Sequence, residues 1–470
     1  MLVFYSFQAK LLTDEMKDRG SLKNYALLVS IIVSFLVTYV SSAINIALPD
    51  IAQTFSLNAI FLSWIPTSYL LFSAIFLIPF GKIADIYGKK RIITYGIIIF
   101  ILASFLSAIS NSGTMLLISR IFQALGSSMI YGNVYSLIAS VYPREEEGKP
   151  LSITVAAAYV GLSTGPVLGG FLTQYFGWRS IFLFTIPLGI IAILAISKLE
   201  KEWFEAQGEG LSISSISILA LSLIAVMYGF SVITTSIGIL TMILGSLGVI
   251  VFIWLQTKVK NPLLDPKILF DRVYIINNLT SLVNYGPGIF TIFLLSLYLQ
   301  NLRGLTPTQT GLLLCVQSVF VAVSSFLVGK LLDFTLPRYI AAVGMAMTAI
   351  GLTFFLMLNE TTSFVFIITA LSIIGFGYGL SAASSTEISL KYFDKRFFGV
   401  SSATLNTMRV VGQMIGMGVT MAVLTIFMGN AQLTPHNYSI FIESSKIPFI
   451  IYAILCYISI YGYFIIRRKN

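Results

Sequence analysis

Two arginines lie within long apolar segments of this 470-residue chain, and each belongs to a stripe of polar side chains spaced as on one helix face. An arginine at the centre of a bilayer costs about 2.5 to 3.5 kcal/mol on the insertion scale, so both should face a polar interior. One stripe comprises Arg120, Gln123, Ser127, Tyr131 and Tyr135, and the other Ser402, Asn406, Arg409 and Gln413.

Two further apolar segments carry similar stripes, one ending in Asn45 and one containing Asn284. Four stripes predict a shared aqueous cavity for a small-molecule substrate. The alternative is that these side chains form hydrogen bonds between helices and that the arginines hold backbone carbonyls at kinks. The predicted cavity residues are Asn45, Arg120, Gln123, Tyr131, Asn284, Asn406, Arg409 and Gln413.

Catalytic chemistry is disfavoured by what these segments lack. The only histidine, His436, falls in a predicted external loop, the two cysteines lie in separate apolar segments, and no acidic residue is predicted mid-membrane. A hydrolase or metalloenzyme needs a cluster of such groups, so we expect no enzyme, metal or cofactor. Glu387 comes nearest to the interior. It is either a coupling residue or an interfacial partner of Lys391, one turn away.

The charge pattern indicates the elements that position these residues. Hydrophobic residues make up 57% of the chain and charged residues 10%, which predicts an all-α polytopic membrane protein whose main partner is the lipid bilayer. Of 29 Lys and Arg residues, 24 fall in eight gaps between apolar runs, and the intervening gaps hold three. Short loops rich in Lys and Arg stay in the cytoplasm. We therefore predict a cell-membrane protein with both termini cytoplasmic. The net charge of +10 is spread over many loops, which disfavours nucleic-acid binding.

The apolar runs predict fourteen transmembrane helices of about 20 residues each. They begin near Tyr25, Leu62, Ile92, Thr114, Leu151, Ser180, Ser212, Ile237, Val273, Gln309, Arg338, Ser363, Gly399 and Ile447. We predict a cytoplasmic segment at 1–24, a six-helix bundle at 25–198, linkers with an inserted helix pair at 199–272, and a second six-helix bundle at 273–470.

An internal repeat supports this division. The pentapeptide GKIAD at Gly81–Asp85 recurs as GKLLD at Gly329–Asp333, 248 residues later. Four glycines recur with an offset of 251 residues: Gly126, Gly148, Gly161 and Gly165 match Gly377, Gly399, Gly412 and Gly416. A nearly constant offset predicts two homologous six-helix units, the parallel repeat of one large transporter fold.

The segment GKIADIYGKKRII, residues 81–93, follows the second predicted helix. Gly81 and Gly88 permit close helix approach and a tight turn, while Asp85 can cap a helix or pair with a base. The segment is either a topology signal or a latch. It resembles the signature loop of the major facilitator superfamily, which implies a latch that joins the two halves, with Asp85 near Gly399. The latch would comprise Gly81, Asp85, Gly88, Arg91, Gly329 and Asp333.

The fifth predicted helix contains GLSTGPVLGG, residues 161–170. Its glycines allow close helix packing, and its proline frees a carbonyl that needs a partner. The order Gly161, Gly165, Pro166, Gly169, Gly170 resembles the antiporter motif of drug exporters. Together with SSAINIALP (41–49), WIPTSYLL (64–71) and RIFQALG (120–126), it is similar to the fourteen-helix drug:proton antiporter family. That resemblance implies a secondary active transporter that exports drug-like or amphipathic solutes by alternating access, with protons as a coupling partner. We expect a monomer.

One position departs from that family. The family's first helix has an aspartate five residues before the asparagine that matches Asn45, and here that position is Val40. Proton coupling therefore lacks its usual carboxylate. A uniporter or exchanger for an anionic small molecule is the alternative, and a non-transporting sensor is the alternative of another class. Two embedded arginines without an embedded acid favour neutral or anionic amphipaths over dications.

Overall fold

The computed structural model describes the backbone of residues 2–143, 146–263, 271–392, 398–429 and 431–465. Side chains are described for 22–143, 146–263, 271–389, 404–429 and 431–465. Within these ranges the chain forms helices and connecting turns, with no strand. The helices are α1 Leu2–Phe55, α2 Ala59–Tyr87, α3 Lys89–Ala108, α4 Gly113–Tyr131, α5 Val134–Val141, α6 Gly148–Phe176, α7 Ser180–Leu183, α8 Thr185–Ser197, α9 Ile213–Ser231, α10 Ser236–Gln256, α11 Arg272–Leu297, α12 Pro307–Leu331, α13 Pro337–Phe354, α14 Phe364–Tyr392, α15 Phe398–Phe427 and α16 Tyr438–Ile465.

Thirteen helical segments in the described ranges are long and apolar enough to cross a membrane, which confirms the predicted all-α membrane fold. The predicted fourth span is not among them, because Arg120 and Gln123 lower its apolar character. This span is also divided, into α4 and α5, at Gly132 and Asn133. Since α4 packs against both α2 and α3, it belongs to the same bundle. Counted with the thirteen, it gives the fourteen spans that the sequence predicts.

One predicted helix start was wrong, since the last helix begins at Tyr438 instead of near Ile447. Helix α1 begins at Leu2, but the apolar span within it, Leu22–Phe55, begins near Tyr25 as predicted. A short 3-10 helix with His436 leads into α16, and the Asn437 side chain accepts a hydrogen bond from the Thr434 amide at 2.9 Å. The charged residues that suggested a loop lie on the first turns of α16, where Lys446 pairs with Glu443 at 2.6 Å.

The two halves repeat the same close helix contacts. In the first half, a Cβ added to Gly126 of α4 would lie 2.7 Å from the Gly96 carbonyl oxygen of α3. In the second half, a Cβ added to Gly377 of α14 would lie 2.5 Å from the Gly344 carbonyl oxygen of α13. Gly96 and Gly344 are 248 residues apart, as are the two GK-x-x-D segments. The sequence repeat is therefore also a repeat of packing.

A second repeated contact joins the first and fifth spans of each half. Gly161 and Gly165 of α6 lie against Phe35 and Tyr39 of α1. In the second half, Gly412 and Gly416 of α15 lie in the same way against Leu282 and Gly286 of α11. Because glycine has no side chain, the backbones of each pair touch directly.

The inserted pair, α9 and α10, is a tight hairpin. A Cβ on Gly229 would lie 2.8 Å from the Gly238 carbonyl oxygen, and one on Gly245 would lie 2.7 Å from the Ser222 carbonyl oxygen. Helix α9 contacts both α2 and α15, which also contact each other across the two halves. On α15, the Thr425 hydroxyl donates to the Ser231 carbonyl at 3.3 Å. The pair therefore covers one of the seams between the halves, while much of α10 remains exposed on the outside of the bundle.

The close contact of α6 with α1 is directly testable with Gly161→Ala. The added Cβ would lie 2.5 Å from the Phe35 carbonyl oxygen, and backbone cannot move aside as a flexible side chain can. We expect a loss of about 1 to 3 kcal/mol of stability, measured as a lower unfolding midpoint in detergent.

The matched control is Gly148→Ala on the same helix, where an added Cβ would meet no atom within 4 Å. Alanine there should be neutral or slightly stabilising, by up to about 1 kcal/mol, because it is the better helix former. Equal unfolding midpoints for the two variants would contradict the close contact.

Candidate functional site

The centre of the molecule is organised around one backbone carbonyl. Pro166 has no amide hydrogen, so the Leu162 carbonyl one turn earlier has no helical donor. The Ser42 hydroxyl of α1 donates to it at 3.1 Å, and the Ser318 hydroxyl of α12 donates at 3.5 Å. Helices from both halves therefore meet at a single oxygen atom.

The antiporter-like segment packs on both halves at once. While Gly161, Gly165 and Gly169 face α1, a Cβ on Gly170 would overlap the Pro307 carbonyl of α12. A Cβ on Gly311 of α12 would likewise overlap the Pro166 carbonyl. The segment thus forms part of the contact between the halves as well as the core of the first half.

A cavity of about 40 Å³ lies beside this junction, with walls from six helices of both halves. Its lining includes Ser42, Asn45, Leu162, Gln317, Tyr378 and Gln413, so two of the predicted cavity residues, Asn45 and Gln413, are here. Within the part of the chain that is described, the Asn45 Oδ1 and Gln317 Oε1 atoms are buried without a hydrogen-bond partner. Both can accept from a molecule in the cavity. Ligand pockets commonly measure about 300 to 1,000 Å³, so the halves must separate before a drug-sized molecule fits.

The halves are joined at one face of the bundle. We call residues 198–212 linker 198–212. It meets the α2–α3 turn at Gly88, where the Lys89 amide donates to the Trp203 carbonyl. We call the side of the bundle on which they meet the linker face. At the opposite face, the Gln300 side chain donates to the Ile46 carbonyl at 2.9 Å, and the Gln432 side chain donates to the Ser56 carbonyl at 2.8 Å. Among the described residues, no hydrogen bond joins the halves at the linker face. The structure is therefore closed at the face opposite the linkers.

The two predicted arginines occupy different environments. Arg120 is fully buried, with its guanidinium carbon 4.3 Å from the centroid of the Tyr69 ring on α2. It donates to Gln123, which donates to Ser104 of α3 at 2.7 Å. Both residues thus lie between helices of the first half and do not line the cavity. For Arg120 and Gln123, this arrangement matches the alternative to a shared cavity, which is that the stripe forms hydrogen bonds between helices.

Arg409, in contrast, is half-buried on α15 and lies close to residues of both halves. Its guanidinium carbon is 5.5 Å from the centroid of the Tyr285 ring of α11. Tyr131 and Tyr159 of the first half and Tyr378 of α14 also lie close enough to interact with its charge.

Two predicted cavity residues, Asn284 and Asn406, lie in the second half near Tyr378 and Arg409. The Asn284 side chain is buried and donates to the Tyr378 carbonyl at 3.4 Å, while Asn406 is half-buried one turn before Arg409. Stripe position alone did not single out Gln317 or Tyr378. A lone glutamine in the apolar run LLLCVQSVF was the available signal for Gln317.

The segment 81–93 is held by a partner that the sequence did not identify. Gly88 has a φ of +111°, which favours glycine, and it separates α2 from α3. The Glu202 carboxylate of linker 198–212 caps the start of α3, accepting from the Lys90 amide at 2.7 Å and the Arg91 amide at 3.2 Å. The linker amides of Glu205 and Ala206 donate to the Asp85 carbonyl at 3.0 Å.

Ion pairs reinforce this docking. Lys82 pairs with Glu209, the buried Lys89 pairs with Glu205, and Arg91 lies 3.7 Å from Glu202. The linker therefore binds its own half's segment 81–93 through both backbone and charge.

The remaining predicted latch residues are less constrained. The Asp85 side chain lies 3.9 Å from the Lys89 ammonium, and its predicted neighbour near Gly399 is outside the described side chains. Gly81 is not at a close helix approach, since an added Cβ would meet no atom within 4 Å, and the same is true of Gly329. Asp333 is exposed and makes no ion pair within the described residues.

The predicted coupling residue Glu387 is half-buried on α14. The side chain of Lys391, its predicted partner, is outside the described residues.

The fold and the central cavity define a membrane transporter built from two repeated six-helix halves. The model of the Major Facilitator Superfamily matches residues 30–417 and again 273–470, and this chain belongs to that superfamily.

Curated relatives of this chain include a riboflavin transporter and a multidrug resistance protein. The chain is 28% identical over 440 residues to the riboflavin transporter RibZ of Clostridioides difficile (strain 630), covering 93% of this chain and 96% of that protein. It is 30% identical over 402 residues to the multidrug resistance protein Stp of Mycobacterium tuberculosis (strain CDC 1551 / Oshkosh), covering 84% and 74%.

Among solved structures, the peptide transporter POT in complex with sulfate superimposes with a TM-score of 0.68 over 93% of each chain at 14% identity. A bacterial homolog of the human lysosomal transporter Spinster gives 0.64 over 94% of this chain and 96% of the other at 16% identity. At these identities the likeness concerns the fold alone.

Removing the cap on α3 should show what linker 198–212 contributes. In Glu202→Ala the Lys90 and Arg91 amides lose their acceptor at a helix N-terminus, so we expect a loss of about 0.5 to 2 kcal/mol of stability. Unfolding midpoints in detergent provide the measurement. Glu200→Ala, in the same linker but exposed, is the control and should leave the midpoint unchanged. Equal effects of the two substitutions would mean that the cap does not stabilise the loop.

Proposed function

We propose that this chain is a secondary active transporter that exports drug-like or amphipathic solutes across the cell membrane by alternating access. The observation that carries this proposal is the cavity at the junction of the two halves, which is lined by both polar and apolar side chains and is closed at one face. A molecule bound there touches both halves, so its binding free energy depends on how the halves are arranged.

The orientation follows from charge. Segment 81–93 and the other basic gaps would lie on the cytoplasmic side, because Lys and Arg are retained there during insertion. The linker face is then cytoplasmic, both termini lie inside, and the closed face is external. The chain would act as a monomer, since one copy contains both halves and the cavity.

Proton coupling is the part of this proposal that the residues support least, because it needs an acidic side chain within the membrane. Val40 is fully buried where the antiporter family has an aspartate, and α1 offers no other acid at that depth. Glu387 on α14 is the residue that remains for coupling. Asp85 would act as a latch and not as a proton carrier, because it lies at the linker face beside Lys89.

A uniporter or exchanger for an anionic small molecule is the second candidate. The observation that favours it is Arg409, a half-buried cation near the cavity with no acidic partner in the described part of the chain. This candidate needs no proton-carrying residue.

Flux in proteoliposomes separates these functions. Purified protein would be tested with riboflavin and with a cationic amphipathic dye, with and without an imposed pH gradient. A proton-coupled exporter should accumulate solute only with the gradient, and Glu387→Gln should abolish that dependence. Flux that is the same with and without the pH gradient would favour the uniporter or exchanger. Ligand binding without any flux would favour a sensor and contradict transport.

Alternating access has its own test at the closed face. The Thr308 amide donates to the Gln174 side chain across the halves at 3.3 Å. In a background without Cys315 and Cys456, Gln174→Cys with Thr308→Cys joined by a short thiol cross-linker should stop flux, and a reducible linker should allow recovery. Each single cysteine variant, treated alike, serves as the control. Full flux through the cross-linked protein would contradict movement of the halves at this face.

A further inference from the structure

Arg409 is surrounded by tyrosines contributed by both halves. We call Tyr131, Tyr135, Tyr159, Tyr285 and Tyr378 the tyrosine cluster. The first three lie on α4, α5 and α6, and the other two on α11 and α14, with Arg409 on α15. Each of the five interacts with the Arg409 charge or with another member of the cluster at its side. Tyrosines from both halves therefore lie around one guanidinium.

The rings are arranged as edge-to-face pairs. The centroids of Tyr285 and Tyr378 are 5.4 Å apart at an interplanar angle of 82°, and those of Tyr131 and Tyr135 are 5.8 Å apart at 81°. The Tyr135 hydroxyl donates to the Tyr131 hydroxyl at 3.4 Å. Such pairs combine apolar ring faces with hydroxyl groups, which is the surface that binds planar aromatic molecules.

The cluster is continuous with the central cavity. Tyr378 lines that cavity, as does Gln413, which lies one helical turn from Arg409 on α15. Gly288 also lines the cavity. A Cβ at Gly288 would lie only 3.3 Å from the Tyr378 ring, so a larger residue there would crowd the ring. A solute that enters when the halves separate would therefore meet the rings and the guanidinium together.

Two other arginines beside aromatic rings donate to backbone carbonyls, whereas the buried Arg120 donates to the Gln123 side chain. Arg179 donates to the Ser110 carbonyl at 2.8 Å, and Arg303 donates to the Tyr298 hydroxyl at 3.0 Å and to the Thr362 carbonyl at 2.5 Å. Arg409 makes no such bond, and no ion pair, to the described residues. A planar guanidinium presents two parallel donors that match two oxygens of a carboxylate, or of a tetrahedral oxyanion such as a phosphate or sulfonate.

We propose that Arg409 and the tyrosine cluster form a recognition site for planar aromatic anions, which this transporter would select over neutral and cationic aromatics. The proposal rests on the proposed transport function and specifies its substrate class. The acidic group would pair with Arg409, and the aromatic plane would pack on the tyrosine rings. Since the cluster draws helices from both halves, one bound anion would connect them.

The test uses two probes with the same ring system and different charge, naphthalene-2-sulfonate and naphthalene-2-sulfonamide. Binding to the full-length protein in nanodiscs would be measured by calorimetry. The native protein should bind the sulfonate at least about tenfold more tightly, the ratio that one charge-assisted hydrogen bond provides. In Arg409→Gln this preference should vanish, while Arg409→Lys should keep part of it, because the charge remains without the planar fork.

Controls separate recognition from damage to the fold. Unchanged sulfonamide binding by Arg409→Gln would show that the site is still folded. Arg338→Gln removes another arginine that lies beside a tyrosine, at the start of α13 and away from the cavity, and should keep the full preference. Tyr285→Leu should weaken the binding of both probes. Equal binding of the probes by native protein, or an undiminished preference in Arg409→Gln, would overturn the proposal.

Flux and binding measured on the native protein distinguish the proposed transport function from the proposed binding site. If native protein moves riboflavin or the cationic dye across proteoliposomes but shows no preference for the sulfonate, the transport function stands and the site assignment fails. If native protein binds the sulfonate selectively yet moves no solute, the site stands and the transport function fails.

Discussion

The arrangement of the two halves depends on the Leu162 carbonyl oxygen. This oxygen has no helical donor, because Pro166 lacks an amide hydrogen. Its donor within the first half, Ser42, is at 3.1 Å, whereas the donor from the second half, Ser318, is at 3.5 Å, beyond the usual range of a strong hydrogen bond. The glycines of α6 bring α1 close enough for the shorter bond. The weaker bond is the one that must break when the halves part, so α1 and α6 can move together as one body.

Much of the fold was predictable because the bilayer leaves the backbone few choices. A spanning segment must satisfy its own hydrogen bonds, so apolar length alone predicts a helix, and the spacing of glycines predicts which face of a helix packs closely on a neighbour. The ends were less predictable. The start of α16 was missed because Glu443 and Lys446 resemble loop residues, although as an ion pair they are compatible with the first turns of a helix.

The candidate site shows where sequence information ends. Arg120 and Arg409 occupy equally polar stripes, yet one faces a neighbouring helix of its own half and the other faces the tyrosine cluster between the halves. A stripe defines a helix face but not the partner of that face. Linker 198–212 is a similar case, since the sequence predicted only a linker there and no binding partner for its acidic residues. Their register against Lys82 and Lys89 depends on the tertiary path of the chain.

The inserted helix pair makes the two sides of the bundle unequal toward the surrounding lipid. Helix α9 lies over the seam of α2 and α15, whereas no described helix lies in the same way over the seam of α6 and α12. Amphipathic solutes concentrate in the bilayer before they reach a protein. For such a solute, α9 and α10 would stand between the acyl chains and the seam of α2 and α15, whereas only the close packing of α6 on α12 would separate the acyl chains from the central cavity on the other flank.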